Sequence, residues 1–409
     1  MKVVLVNTGH IVGGGDATYT FNLAELLRQR GHTISFFAMQ DERNLPDPND
    51  DLFVSHIDFR EMNRHKSLAR GLRVAARAIY SREARANFRA LLDRVQPDVV
   101  HLQNLHGHLT PSVIFEAKAR GLPVFWTVHD YKLICPNTTF TIDRTGQTCE
   151  ACGRHAFYQP LLKRCKKDSL LASGLAGLEA YAHWLLAVRD QVDIFLAPSR
   201  FLRNKLLSRG FAASQVRQHA YFVPAAQLTP CEPTAQDYFL FMGRIEAIKG
   251  VQPLLAACRL APHLRLILAG PADQASQRAL QEQLPPNAEY IGLQQGAELR
   301  RWLCGAVAVV APSIWYENQP FSILEAFASH KPVIASDLGG LPELVAHQER
   351  GLLVPPGDPQ ALADAMCWLA GHPAQARAMG EQAYAYVVAE HSPSQHYEQL
   401  MSLYGAGHA

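Results

Sequence analysis

The chain has 409 residues, 48% hydrophobic and 19% charged, which is too long for one ordinary domain and too apolar for a disordered one. No run approaches the roughly eighteen apolar residues of a membrane span, and Val3–Val6 after Lys2 is too short for a signal segment. A cytoplasmic protein is therefore expected, at most resting on the inner face of the cell membrane.

Two α/β series follow one another along the chain. Lys2–Asn7 is a continuous apolar run, as in a strand covered on both faces. Gly9 and Gly13–Gly15 form a glycine-rich turn, and Tyr19–Gln29 carries a helical apolar stripe closed by Gly31. Strands are expected at Thr33–Ala38, Asp98–Leu102, Pro123–Val128 and Ile194–Ala197, each followed by helical sequence. The stretch Val223–Pro233 has three prolines and no periodicity, which suits a linker. A second series then begins at Tyr238–Met242. It continues with strands at Leu264–Ala269, Glu289–Ile291, Ala306–Ala311, Pro332–Ala335 and Gly351–Val354. Helices are expected over Pro359–Leu369, Pro373–Glu390 and Gln395–Tyr404. Alternating strands and helices predict parallel, doubly wound sheets with ligands at the carboxyl ends of the strands. The expected division is residues 1–223, residues 236–390, and a final segment 391–409 returning to the first domain.

The formal net charge of +2 conceals an asymmetry: residues 1–222 carry 29 Lys+Arg against 20 Asp+Glu, and the remainder 10 against 17. The two halves should meet different partners. The basic excess is densest over Arg60–Arg94, with ten Lys/Arg and three acids. That stretch reads either as a solvated helix surface or as a face for anionic headgroups or a phosphorylated acceptor. No nucleic-acid partner is expected.

The second series opens with Gly243-Arg244 and Lys249-Gly250 between a strand end and a helix start. Two fixed cations at that place suit a diphosphate, although solvent-facing cations would look the same. The segment Ala311–Ala326 puts a polar loop between a strand and a helix, with seven residues separating Glu317 from Glu325. A carboxylate can accept two hydrogen bonds from adjacent hydroxyls, which fits a sugar diol. Ser322-Ile-Leu-Glu325 also reads as a capping box that needs no ligand.

These motifs, with Ser336-Asp337-Leu-Gly339-Gly340-Leu-Pro342-Glu343 and Gly351–Pro355, resemble the C-terminal half of family-4 retaining glycosyltransferases of the GT-B fold. Gly13–Gly15, His101–Gly107, Thr127-Val-His129-Asp130 and Ala197-Pro198-Ser199 are similar to the N-terminal half. The resemblance implies two Rossmann-like domains facing a cleft, an N-terminal one for the acceptor and a C-terminal one for a nucleotide-sugar donor. It implies that Arg244 and Lys249 hold the donor diphosphate, and that Glu325 binds the ribose. Glu317, with main-chain N–H groups from Asn318 through Gln319 and Phe321 to Ser322, would orient the donor sugar. His129 would sit by the reacting face, and Gly14 and Gly15 would let the first loop approach closely. It further implies transfer without a catalytic metal, with retained configuration, onto a lipid-linked or growing glycan of a bacterial surface polysaccharide. No residue is an obvious nucleophile. Thr18 stands where a dinucleotide fingerprint needs its third glycine, so a dehydrogenase is not supported. The remaining alternative is an inactive nucleotide- or glycan-binding protein on the same fold.

Cys135, Cys149, Cys152 and Cys165 are spaced C-x13-C-x2-C-x12-C in a segment that also carries Lys163, Arg164, Lys166 and Lys167. Structural zinc is the first expectation for this insertion, unligated thiols the second and an iron–sulfur centre the third. The four other cysteines read as lone buried hydrophobes.

Overall fold

The computed structural model describes residues 1–56, 77, 79–105, 107–228 and 237–406. Most of the Arg60–Arg77 stretch, His106 and the Pro230–Pro233 end of the linker therefore lie outside the described residues. By its internal contacts the chain divides into two units. The first is Met1–Pro198 with Leu202–His219 and Tyr397–Ala409, and the second is Ser199–Phe201 with Ala220–His396.

The first unit holds a sheet of β1 (Lys2–Asn7), β2 (Thr33–Phe37), β3 (Val99–Asn104), β4 (Val124–Thr127), β7 (Ile194–Ala197) and β8 (Val216–Gln218). Their order is β2-β1-β3-β4-β7-β8 and every pairing is parallel. Two short strands, β5 (Thr141–Ile142) and β6 (Gln147–Thr148), form an antiparallel hairpin in the cysteine-bearing insertion. Val3 to Val6 are buried on both faces of the sheet, which is why this strand reads as an unbroken apolar run.

The second unit repeats the plan with β9 (Tyr238–Met242), β10 (Arg265–Ala269), β11 (Ala288–Tyr290), β12 (Ala306–Ala311), β13 (Val333–Ser336) and β14 (Gly351–Val354). The order β11-β10-β9-β12-β13-β14 is again all parallel. The expected α/β class with two doubly wound parallel sheets is what the chain adopts. In each unit the strand order reverses direction beside its first strand, at β1/β3 and at β9/β12. Those switch points are where open α/β sheets leave a crevice for a ligand.

The last helix, Pro393–Ala406, has its Tyr397–Ala406 part in the first unit. There Tyr404 is fully buried and its hydroxyl lies 2.6 Å from His101 Nδ1, while His101 Nε2 lies 2.8 Å from Thr127 Oγ1. Burial holds His101 neutral, so this histidine of the first-half motif is a core strut. No helix among the described residues is long and apolar enough to cross a membrane.

Four of the five described arginines of the basic stretch make internal ion pairs, and the fifth, Arg82, is exposed. Arg77 holds Glu83, Arg94 holds Asp51, and Arg85 and Arg89 both hold the buried Glu116. Those four guanidinium groups meet carboxylates of their own unit, of which Glu116 is buried.

Candidate active site

In the second unit two loops leave the carboxyl ends of the paired strands β9 and β12. The first runs from Gly243 through Arg244 to Gly250, and the second from Pro312 to Pro320. They are stitched together by the Ile314 N–H, which donates to the Ile248 carbonyl at 2.9 Å. Gly250 makes this approach feasible. Its φ is +75° and a Cβ there would overlap the Pro312 carbonyl. The stitching brings Lys249 Nζ to 2.6 Å from Glu317 Oε1. Ser313 Oγ and Trp315 Nε1 donate to the same oxygen at 2.7 and 2.9 Å, and Lys249 also sits over the Trp315 ring. Burial pushes the Glu317 carboxyl up, but the Lys249 charge and these donors override it and hold it below the ordinary glutamate range. The sequence motif named Glu317 and Lys249 separately. Ser313 and Trp315 were missed as parts of the site, although both lie within four residues of Glu317.

Glycine holds the other side of the Glu317 loop. The Gly340 N–H donates to the Glu317 carbonyl at 2.8 Å, and a Cβ on Gly339 or Gly340 would crowd the main chain of Tyr316 to Asn318. Neighbouring side chains pin the rest of the loop. Asn318 Oδ1 accepts from Ser199 Oγ at 2.6 Å, Gln319 Oε1 accepts from the Tyr221 N–H, and Phe321 stacks on Tyr221. The side chains of Asn318, Gln319 and Phe321 thus serve the loop, which leaves the main-chain N–H groups as the parts suited to a ligand.

The helix Phe321–Ala328 has Pro320 as its N-cap and no side-chain cap. Ser322 therefore lies inside the helix, not at its cap, and the capping-box reading of Ser322 and Glu325 is removed. The start of this helix is left as an anion-favouring terminus. The Glu325 side chain makes no hydrogen bond or ion pair among the described residues. It lines a cavity of about 250 Å³ with Gln227, Gly296 and Arg300. Burial raises its carboxyl to about 7. The folded chain thus holds this proton more tightly than the unfolded chain. The stability contributed by this carboxyl is full below about pH 4 and is lost as the pH rises toward 7. Glu325→Gln should accordingly gain melting temperature over the parent above pH 7 and lose that advantage near pH 4, as read by thermal unfolding across pH. A constant difference at all pH values would contradict the buried-carboxyl assignment.

Arg244 carries the second cation of the first loop and pairs with Glu246 at 2.9 Å. This exposed pair is weak and exchangeable, so Arg244 can turn to a stronger anion.

In the first unit the glycine loop, Asn104 and His129 gather at the carboxyl end of the sheet. Gly13 and Gly14 have φ of +142° and +82°, and Gly15 begins the helix Gly15–Gln29. Asn104 Nδ2 donates to Asp16 Oδ2 at 3.2 Å. The His129 ring packs edge-on against Tyr19, with Nε2 2.8 Å from Gln103 Oε1.

Residues 13–218 match the family model described as Glycosyltransferase Family 4, and residues 236–372 match one described as Glycosyl transferases group 1. The chain belongs to glycosyltransferase family 4. Among relatives, it is 34% identical over 162 residues to D-rhamnosyltransferase WbpZ of Pseudomonas aeruginosa, covering 38% of this chain and 41% of the relative. It is 26% identical over 188 residues to amylovoran biosynthesis glycosyltransferase AmsK of Erwinia amylovora, covering 42% and 46%. The chain thus spans less than half the length of either relative. The structure of Anabaena HepE in complex with UDP-glucose superposes with a TM-score of 0.69 at 15% identity, covering 99% of this chain and 100% of that one. That likeness establishes the fold of this glycosyltransferase.

The four insertion cysteines share one electrostatic neighbourhood. Burial raises the Cys152 thiol to about 12 and the Cys165 thiol to about 11, and in each the neighbouring cysteines add to the effect. Cys135 is raised by burial as well. Yet among the described residues no group of three or more His, Cys, Asp or Glu is gathered as a metal-binding set. Cys258 is buried as expected, but Cys304 is disulfide-bonded rather than alone.

Proposed function

We propose that this glycosyltransferase moves a sugar from a nucleoside diphosphate onto a lipid-linked or growing glycan, with retained configuration and without a catalytic metal. The observation that carries the reading is the Lys249–Glu317 pair seated beside the uncapped start of the Phe321–Ala328 helix. Lys249 and Arg244 would neutralise the departing diphosphate, doing the work that a divalent ion does elsewhere. Glu317 holds Lys249 aimed, and its loop's main-chain N–H groups would hold the donor's anionic end. Glu325 would accept hydrogen bonds from the ribose hydroxyls. The acceptor's hydroxyl would attack on the face from which the diphosphate leaves, a phosphate oxygen taking its proton. His129, Gly14 and Gly15 would shape the acceptor side.

A UDP-sugar is the first donor to test, because the Anabaena neighbour was solved with one. A role in bacterial surface polysaccharide assembly is supported by the relative named for amylovoran biosynthesis. Thermal stabilisation by a panel of nucleotide sugars should identify the donor, since a ligand bound only to the native state raises the melting temperature. Turnover in short assays with EDTA should persist, and NMR should find the product's anomeric configuration unchanged. Turnover abolished by EDTA and restored by magnesium would reject the metal-free step. Donor binding without any turnover would favour the inactive binding protein.

Structural zinc on Cys135, Cys149, Cys152 and Cys165 belongs to the same proposal. The clustered thiols support it and the unassembled ligand set opposes it. Elemental analysis of protein purified without added metal should find about one zinc per chain, the stoichiometry of a four-thiolate site. A metal-free preparation that is folded and active would reject it.

A further inference from the structure

The helix Leu170–Leu185 has its faces reversed. Its buried side carries Ser173, Ala176, Gly177 and Glu179. Leu171, Leu178 and Leu185, seven residues apart and so on one stripe, are 77%, 56% and 74% exposed. Glu179 is the only acid in the helix, and its carboxylate is turned inward to Lys132 Nζ at 2.6 Å. Small residues make the inward packing. A Cβ on Gly177 would overlap the Phe157 carbonyl, and one on Gly174 would come within 3.3 Å of Leu161 in the preceding helix Gln159–Lys163. The leucines are therefore not needed to seat the helix. Of the sixteen exposed large hydrophobic residues among those described, nine lie between Tyr158 and Leu186. A concentration of that kind on one surface marks a contact with something apolar.

The connection between the two helices supplies the charge. Lys163, Arg164 and Lys167 are exposed and make no ion pair among the described residues. They lie between the exposed Leu161–Leu162 and Leu170–Leu171 pairs. Leucines alternating with cations at one surface match an interfacial helix that buries its apolar stripe about 5–10 Å deep while the cations meet headgroup phosphates. A second copy of the chain fits less well, because a two-fold contact on this patch would bring its cations against their own copies. The cavity beneath, bordered by Phe157, His183 and Trp184, is about 90 Å³, roughly three waters, and cannot take an acyl chain. Any lipid contact thus belongs to the outer face.

From this reversed, cation-rimmed helix pair we infer that residues 158–186 form a docking surface for an anionic phospholipid bilayer, lying in its interface without crossing it. The inference deepens the reading of a lipid-linked acceptor and rests on it for its purpose alone. It adds a second candidate surface to the Arg60–Arg94 stretch, most of whose Arg60–Arg77 part lies outside the described residues.

The full chain should be sedimented with acceptor-free vesicles of phosphatidylglycerol and phosphatidylcholine, and with phosphatidylcholine alone. Binding should require the anionic lipid and weaken from low to high salt, since each cation near such a surface multiplies affinity about fivefold. Leu171→Asp/Leu178→Asp/Leu185→Asp and, separately, Lys163→Glu/Arg164→Glu/Lys167→Glu should each lower partitioning at least about tenfold. Melting temperature and donor binding should stay unchanged, because every substituted side chain faces outward. The more conservative Leu171→Gln/Leu178→Gln/Leu185→Gln guards against misfolding and should show the same direction. The inference is overturned if the parent ignores anionic vesicles, or if folded leucine variants bind like the parent. A parent dimer in light scattering that the leucine variants abolish would assign the surface to a second copy instead. Vesicle binding is read without turnover, so its failure leaves the glycosyl-transfer reading intact.

Discussion

Lys249→Ala should lower turnover at saturating donor by about 100- to 1,000-fold, the scale of losing one positioned group that stabilises developing negative charge. The side chain is not a free surface cation. Its Nζ is fixed 2.6 Å from Glu317 Oε1 and lies over the Trp315 ring, so it waits in one place and needs little reorganisation as the diphosphate leaves. The loss should fall on kcat more than on donor KM, because the charge it meets grows toward the transition state. A stability effect must be separated from this. Removing Lys249 leaves the buried Glu317 with Ser313 and Trp315 as donors to Oε1 and without its counter-charge. In the parent the depressed Glu317 carboxyl stabilises the fold above the ordinary glutamate pKa, and that contribution fades as pH falls. In the variant the carboxylate is a burden, so the deficit in melting temperature should shrink toward acidic pH. Lys249→Ala/Glu317→Gln should recover much of the stability and none of the turnover. Near-parent turnover of Lys249→Ala at saturating donor would remove the diphosphate assignment.

The regular elements were legible because both sheets are buried on two faces. The six strands expected in the second half fall within about one residue of those observed, since all but the edge strand Ala288–Tyr290, with Glu289 exposed at its centre, are short apolar runs closed by Gly, Pro or a polar turn. The strand Val216–Gln218 was not legible. It has three residues and only Val216 is buried, so it offers no pattern. The two-residue hairpin at Thr141–Ile142 and Gln147–Thr148 failed for the same reason.

The site was legible as residue types at motif spacing, and not as a geometry. Sequence placed Glu317 and Lys249 on separate loops; only strand order, with β9 beside β12, makes those loops neighbours. It likewise left Glu325 divided between a cap and a ligand, and Pro320 at the N-cap removes the first of these. The reversed helix Leu170–Leu185 shows a deeper limit. A leucine stripe reports that a helix has an apolar face, but not which way the face points. The direction followed from Gly174, Gly177 and Glu179 on the opposite side.

Gly250→Ala should cost both fold and chemistry. Gly250 is the N-cap of the helix Val251–Leu260 at φ +75°, a backbone region that costs a residue with a Cβ about 1–3 kcal/mol. The Cβ would also overlap the Pro312 carbonyl, which is main chain and cannot rotate away as a side chain could. Relief requires the two loops to part, and the same loops carry Lys249 and Glu317. A displacement of even 1 Å would lengthen their 2.6 Å contact beyond a hydrogen bond. The melting temperature should therefore fall by several degrees, for roughly 2 kcal/mol or more in a domain of this size. Turnover of the folded protein should fall at least about tenfold. Gly371→Ala serves as the control: it lies at the end of the helix Pro359–Gly371 with nothing near its Cβ position, so it should change neither quantity by much. A Gly250→Ala protein that melts within a degree of the parent and turns over at the parent rate would mean that the loops can separate without consequence. The Lys249–Glu317 pair would then be incidental to catalysis.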